Sequence, residues 1–172
     1  MLKRAAALLI CAWMFLFCAL VFGADETATT VFLLRHAEKQ SDTENPELSP
    51  AGNLRAESLV HVLGSSGVAA IYTSQYLRTI KTAEPLAVFL KLTPVQVDAK
   101  QTPELVKGIL ADHKGQAVLV VGHSNTVPEI ISALGASVPP IEDGEYDNLY
   151  VVNLPAEGKA AVARIKFGEA AK

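Results

Sequence analysis

Arg35, His36 and Glu38 place a guanidinium, an imidazole and a carboxylate within four residues, directly after the apolar run Val31-Phe32-Leu33-Leu34. Arginine is a planar, permanently charged fork suited to phosphate oxygens. Histidine is the side chain most readily used as nucleophile or proton carrier near neutral pH. Taken alone, the octapeptide fits a phosphate site with a working histidine, and equally a strand end with a surface ion pair. Two further groups enlarge the picture. Arg78 follows the apolar segment Val68 to Tyr72, and His123 follows Ala117 to Val121. Two arginines and two histidines gathered together imply an anion between them, and a phosphoryl group spreads its charge over oxygens that Arg forks can bridge.

These residues need strands to carry them. Val31–Leu34, Val68–Tyr72, Val95–Val97 and Ala117–Val121 read as short buried strands. Between them lie helical patterns. Ser49-Pro50 opens one as N-cap and first position, with Ala56, Leu59, Val60 and Leu63 inward. A second starts near Tyr76 with Ile80, Ala83, Ala87 and Leu90 inward, and Pro85 is expected to kink or split it. Thr102-Pro103 opens a third, with Leu105, Val106, Ile109 and Leu110 as its stripe. Thr126 to Glu129 reads as a capping box. Leu149–Leu154 and Ala161–Phe167 form a final strand pair. Alternating strands and helices predict an α/β, three-layer α/β/α domain with a mainly parallel sheet and an antiparallel C-terminal edge. Strand ends of one parallel sheet share a rim, and ligands bind there.

Composition narrows the partners. Residues 1–24 have a basic start (Lys3, Arg4), an apolar run from Ala5 to Phe22 and small residues before Asp25, the form of a signal peptide or an uncleaved N-terminal anchor. Either places the remainder outside the cytoplasm, periplasmic or extracellular, with membrane contact only if the leader is retained. Both cysteines, Cys11 and Cys18, lie in this leader, so the rest has no disulfide, thiolate or Cys-based metal site. Setting aside Lys3 and Arg4 leaves 13 basic against 18 acidic residues, a net charge of −5. That balance argues against nucleic acid. The histidines show no metal-ligand spacing, and His61 and His113 read as solvated surface groups. Ser124 lacks the Gly-x-Ser-x-Gly elbow of a serine nucleophile.

Leu-Arg-His-Ala-Glu at 34–38, Tyr-Thr-Ser-Gln-Tyr-Leu-Arg-Thr-Ile-Lys-Thr-Ala at 72–83 and Val-Gly-His-Ser-Asn at 121–125 resemble, in order, the three signature segments of the histidine phosphatase superfamily, also called phosphoglycerate mutase-like. Leu48 to Gly52 is similar to that family's helix start. The resemblance runs from Val31 almost to the C-terminus and implies a histidine phosphatase-like domain over residues 25–172. It implies His36 as nucleophile, attacking phosphorus to form a phosphohistidine. It implies Arg35, Arg78 and His123 as the phosphate pocket, His123 protonated and acting with His36 in catalysis, and no cofactor. Two-step transfer through an imidazole makes chemical sense, since it divides one hard displacement into two easier ones.

The family's leaving-group acid has no counterpart in a recognisable motif. Asp98, after a strand, ranks first and Glu104, in a first helical turn, second; Asp112 reads as surface. Glu38 could orient His36 or pair with Arg35. Thr73, Ser74 and Asn125 could reach the phosphate or cap helices. Only 44 residues separate Arg78 from His123, little room for a substrate-recognising cap, which points to hydrolysis rather than a mutase reaction. The sequence thus predicts a metal-independent phosphatase acting on a small phosphorylated substrate. The rival is a non-catalytic protein of the cell envelope that binds inorganic phosphate or a phospho-ligand. A phosphohistidine-directed phosphatase is the third reading.

Overall fold

The computed structural model describes residues 28–171; the leader expected over residues 1–24 lies outside them. The strands are β1 (Thr29–Arg35), β2 (Val68–Thr73), β3 (Val95–Gln96), β4 (Ala117–Gly122), β5 (Asn148–Leu154) and β6 (Ala161–Lys166). The helices are α1 (Pro50–Leu63), α2 (Leu77–Leu90), α3 (Thr102–Asp112) and α4 (Thr126–Ala133). The sheet order is β3-β2-β4-β1-β5-β6. The first four strands in that order are mutually parallel, and β5 and β6 add the antiparallel edge. Among the described residues no helix is long and apolar enough to cross a membrane.

Side-chain alternation along the central strands divides the core in two. Val31, Leu33, Val118 and Val120 face one way, against Leu105, Val106 and Ile109 of α3 and Val127, Ile130 and Ile131 of α4. Leu34, Leu119 and Val121 face the other way, against Leu59 and Leu63 of α1 and Leu86 of α2. The outcome is the expected three layers.

Several local expectations change. Helix α2 runs unbroken through Pro85. Its buried face holds Thr79 and Thr82 beside Ala83 and Leu86, because both hydroxyls bond within the site described below. Leu110 stands outside the buried stripe of α3. Thr126 is not the cap of α4; Asn125 holds that position without a side-chain bond, and the Thr126 hydroxyl instead accepts from the His123 N–H at 2.9 Å. In β6, at the sheet edge, Ala161, Ala163 and Ile165 are exposed despite their alternation, on the face opposite Val162, which packs against the core. His113 is no bare surface group: it bonds the Tyr72 hydroxyl at 2.8 Å and Gln116 at 2.9 Å.

Ser49 starts α1 as expected, its hydroxyl accepting from the Gly52 N–H at 3.1 Å. Gly52 itself lies against the chain that leaves β1. A Cβ there would stand 2.2 Å from the Glu38 carbonyl oxygen, so only glycine lets the helix approach this closely. One turn on, Arg55 is 4% exposed. Its Nε and Nη2 donate to the Glu38 carboxylate, the shortest bond 2.6 Å, and its Nη1 donates to the carbonyls of Phe167 and Glu169. Arg55 therefore joins the segment after β1 to the C-terminal tail. Glu38, expected to serve His36 or Arg35, serves neither. Burial alone would raise the Glu38 carboxyl, but the Arg55 bonds and charge outweigh it and hold the group below the ordinary carboxylate range. Removing one member of a buried charged pair leaves the other uncompensated, at a cost of about 3–5 kcal/mol. Arg55→Ala is accordingly expected to lower the urea unfolding free energy by that order. Arg55→Lys, lacking the fork, should recover only part of it.

Candidate active site

The parallel register makes the site. Arg35 on β1 lies beside Gly122 on β4, and the His36 N–H donates to the Gly122 carbonyl at 2.9 Å. His36 and His123 thus leave neighbouring strands at equivalent points, and their ring centres are 5.4 Å apart. Arg35, His36, Arg78 and His123 line one cleft of about 420 Å³ at the carboxyl ends of the parallel strands. The sequence reading placed these four on one rim, and the fold brings them together.

The two imidazoles are distinct. His36 Nδ1 lies 2.8 Å from the Ala37 carbonyl oxygen. A carbonyl can only accept, so Nδ1 carries the proton and Nε2 keeps its lone pair. For His123, Nε2 lies 2.9 Å from Ser74 Oγ, and Ser74 Oγ lies 2.8 Å from Thr79 Oγ1. The Thr79 hydroxyl donates to the Tyr76 carbonyl at 2.8 Å, so it accepts from Ser74, and Ser74 in turn accepts from the Nε2–H of His123. Proton counting therefore assigns Nε2–H to His123 and leaves its Nδ1 without a proton. Ser74 orients His123, and Thr73 Oγ1 is buried without a partner.

Both arginines are held by backbone carbonyls and aromatic faces. Arg35 Nη1 donates to the carbonyls of Glu142 and Asp143 at 2.9 and 2.7 Å, and its guanidinium lies 4.2 Å from the Tyr146 ring centre. Its Nε is buried and unpartnered, a donor that an anion oxygen would satisfy. Arg78 donates to the Glu44 carbonyl at 3.1 Å and lies 4.3 Å from the Tyr76 ring centre. Such stacking is worth about 0.5–2 kcal/mol per contact and leaves the charge intact. Tyr76 also meets His123 edge-on, at 5.4 Å. Sequence reasoning passed over Tyr146 and Tyr76. Tyr76 stood inside a quoted motif, whereas Tyr146 lies 111 residues from Arg35 with no local signal.

The acid candidates lie elsewhere. Neither Asp98 nor Glu104 lines the cleft. Asp98 borders a separate small recess, its carboxylate accepting from the Lys100 N–H at 2.8 Å. Lys39, Glu44, Lys100, Ser124 and Asn125 do line the cleft. Among the described residues no three His, Cys, Asp or Glu side chains gather as a metal-holding group.

Comparison with known proteins agrees with the motifs. The model of the histidine phosphatase superfamily (branch 1) matches residues 31–102, a span that includes His36 and Arg78. No curated protein sequence matches the chain. Among solved structures, the protein histidine phosphatase SixA complexed with tungstate shares the fold at a TM-score of 0.64 and 19% identity, over 80% of this chain and 96% of that one. YhfR of Bacillus stearothermophilus does so at 0.63 and 20%, over 79% and 96%. The mycobacterial glucosyl-3-phosphoglycerate phosphatase does so at 0.58 and 14%, over 73% and 90%. Residues 31–102 thus match the histidine phosphatase superfamily, and the described residues share their fold with solved phosphatases.

The surroundings of His123 oppose the protonated form expected from the sequence. Burial, then the charges of Arg78 and Arg35, push His123 down to about 4. Burial is also the largest cause at His36; the Ala37 bond opposes it, the nearby His123, Arg35 and Arg78 add to it, and the group falls to about 3. Both rings are neutral in the fold at pH 7. The unfolded chain, with histidines near 6.5, binds protons below that pH which the fold excludes. Stability should therefore fall as the pH drops below 6.5, reaching about 1.4 kcal/mol per pH unit for each histidine, and the effect should be complete near pH 4 and pH 3 respectively. Urea unfolding between pH 5.5 and 4.5, in buffers free of phosphate and sulfate, checks this. His123→Asn should remove about one histidine's share of the slope.

Proposed function

We propose that the protein hydrolyses phosphomonoesters through a phosphohistidine formed on Nε2 of His36. The observation that carries this is the Nδ1–H bond from His36 to the Ala37 carbonyl, which leaves an unprotonated Nε2 in a cleft lined by two arginines. Arg35, through its unpartnered Nε, and Arg78 would hold the equatorial oxygens and stabilise the charge of an in-line displacement. His123 Nδ1 would take up a proton when the phosphoryl dianion arrives, since the anion opposes the two arginines that depress it. The guanidinium pair takes the part a metal plays in other phosphoryl transfers, so the reaction is written without one. The substrate is a small phosphorylated molecule, or a phosphate on a larger one, because the cleft is basic around the histidines and no cap closes it among the described residues. Export to the periplasm or cell exterior, by a signal peptide or anchor over residues 1–24, completes the proposal and rests on the leader sequence alone.

A second reading keeps the pocket without turnover: a binding protein for phosphate or a phospho-ligand. Its support is that Asp98 and Glu104 both stand outside the cleft lining.

Hydrolysis of p-nitrophenyl phosphate by the purified protein in excess EDTA separates the two. Turnover that survives chelation and falls at least about a thousandfold in His36→Ala is expected, accompanied by an alkali-stable, acid-labile phosphoenzyme in the unsubstituted protein. Phosphate or vanadate binding with no turnover from pH 4 to 8 would establish the binding reading instead.

A further inference from the structure

Displacement at phosphorus leaves an electron pair on the departing oxygen, and an alkoxide leaves poorly unless it receives a proton. The cleft offers few donors for it. Arginine and lysine release protons too reluctantly at neutral pH, which sets aside Arg35, Arg78, Lys39 and Lys100. His36 is committed as nucleophile, and the Nε2–H of His123 is given to Ser74. Glu38 is bound to Arg55. Of the residues that line the cleft, Glu44 alone has a carboxyl group.

Its backbone is well placed. Residues 39–48 form a loop closed at its base by the Lys39–Leu48 bridge and by the Gln40 N–H donating to the Glu47 carbonyl at 2.9 Å. At the far end Asn45 Oδ1 accepts from the Leu77 N–H at 2.8 Å, capping the start of α2, and the Glu44 carbonyl holds Arg78. The loop therefore spans from β1 to α2, over the strand rim. His36 reaches the cleft from the strand end, and Glu44 lines it from this loop, its carbonyl on Arg78. An in-line displacement sets its attacking group and its proton donor on opposite sides of phosphorus, which groups on two different elements can do.

We propose that Glu44 is the catalytic acid for the leaving group, an inference that rests on the phosphomonoester reading above. His36 Nε2 attacks phosphorus as the P–O bond to the leaving group breaks. The electron pair stays on that oxygen, which takes the Glu44 proton and departs as an alcohol. Water then attacks phosphohistidine and gives a proton to the Glu44 carboxylate. The P–N bond breaks, its electron pair returns to Nε2, and phosphate leaves with Glu44 protonated once more.

The test compares two esters, p-nitrophenyl phosphate, whose leaving group needs little help, and glycerol 2-phosphate, whose alkoxide needs a proton. Phosphate release is measured for the unsubstituted protein, Glu44→Gln and Glu44→Asp. Glu44→Gln should lose on the order of a hundredfold in kcat with the alkyl ester and only several-fold with the aryl ester, and Glu44→Asp should recover part of the alkyl rate. Vanadate affinity should change by about twofold or less, since the backbone carbonyl that holds Arg78 is retained. Equal losses on both esters, no loss on the alkyl ester, or an unsubstituted protein that cleaves only the aryl ester would overturn the assignment of Glu44 while leaving His36 chemistry standing. Aryl turnover that persists in His36→Ala would instead overturn the underlying reading.

Discussion

Two guanidinium groups and two imidazoles share one partly buried rim, and the rest of the site answers to that crowding. Carboxylate partners would relieve the repulsion but would also cancel the charge an anion needs. The fold uses neutral supports instead. Arg35 rests on the carbonyls of Glu142 and Asp143, and Arg78 on that of Glu44. Each guanidinium also lies against a tyrosine ring. Partial charges of carbonyls and the face of a π-system hold a cation in place without neutralising it. The histidines respond by losing their protons. The carboxylate nearest in sequence, Glu38, is drawn away by Arg55. Positive charge is thus conserved for a ligand.

The framework was legible because it is local. Apolar runs of four to six residues, each ended by a polar group, marked β1, β2 and β4, and the parallel arrangement then put Arg35, His36, Arg78 and His123 on one rim. Ser49 with Pro50 marked α1 by capping chemistry that needs no distant partner. Missed features depend on long-range or main-chain contacts. Arg55 looked like an ordinary helix residue, yet its partners are Glu38 and the carbonyls of Phe167 and Glu169. No side-chain pattern announces that a carbonyl of Asp143 will hold Arg35. Pro85 does not split α2: the packing of Ala83, Leu86 and Ala87 on the sheet offsets proline's cost and keeps the helix continuous.

Thr79 and Thr82 show how the same helix serves core and site. The Thr82 hydroxyl accepts from the Ala37 N–H at 2.9 Å and donates to the Arg78 carbonyl at 2.7 Å. The Thr79 hydroxyl accepts a hydrogen bond from Ser74 and so fixes the tautomer of His123. Apolar side chains at these two positions would suit the layer but leave the Ala37 N–H and the Ser74 hydroxyl without partners. Their burial is therefore a property of the chemistry as much as of the packing.

Strand β1 comes first in the described chain and sits in the middle of the sheet, between β4 and β5. Its neighbours begin at residues 117 and 148, so both of its edges wait on segments made much later. During synthesis the ribosome releases Val31 to Leu34 as an unpaired apolar edge long before its partners emerge, a form that invites aggregation and chaperone capture. Closing such distant contacts late also slows folding. The histidine at the end of β1 thus acquires its surroundings only after His123 and Tyr146 have been made.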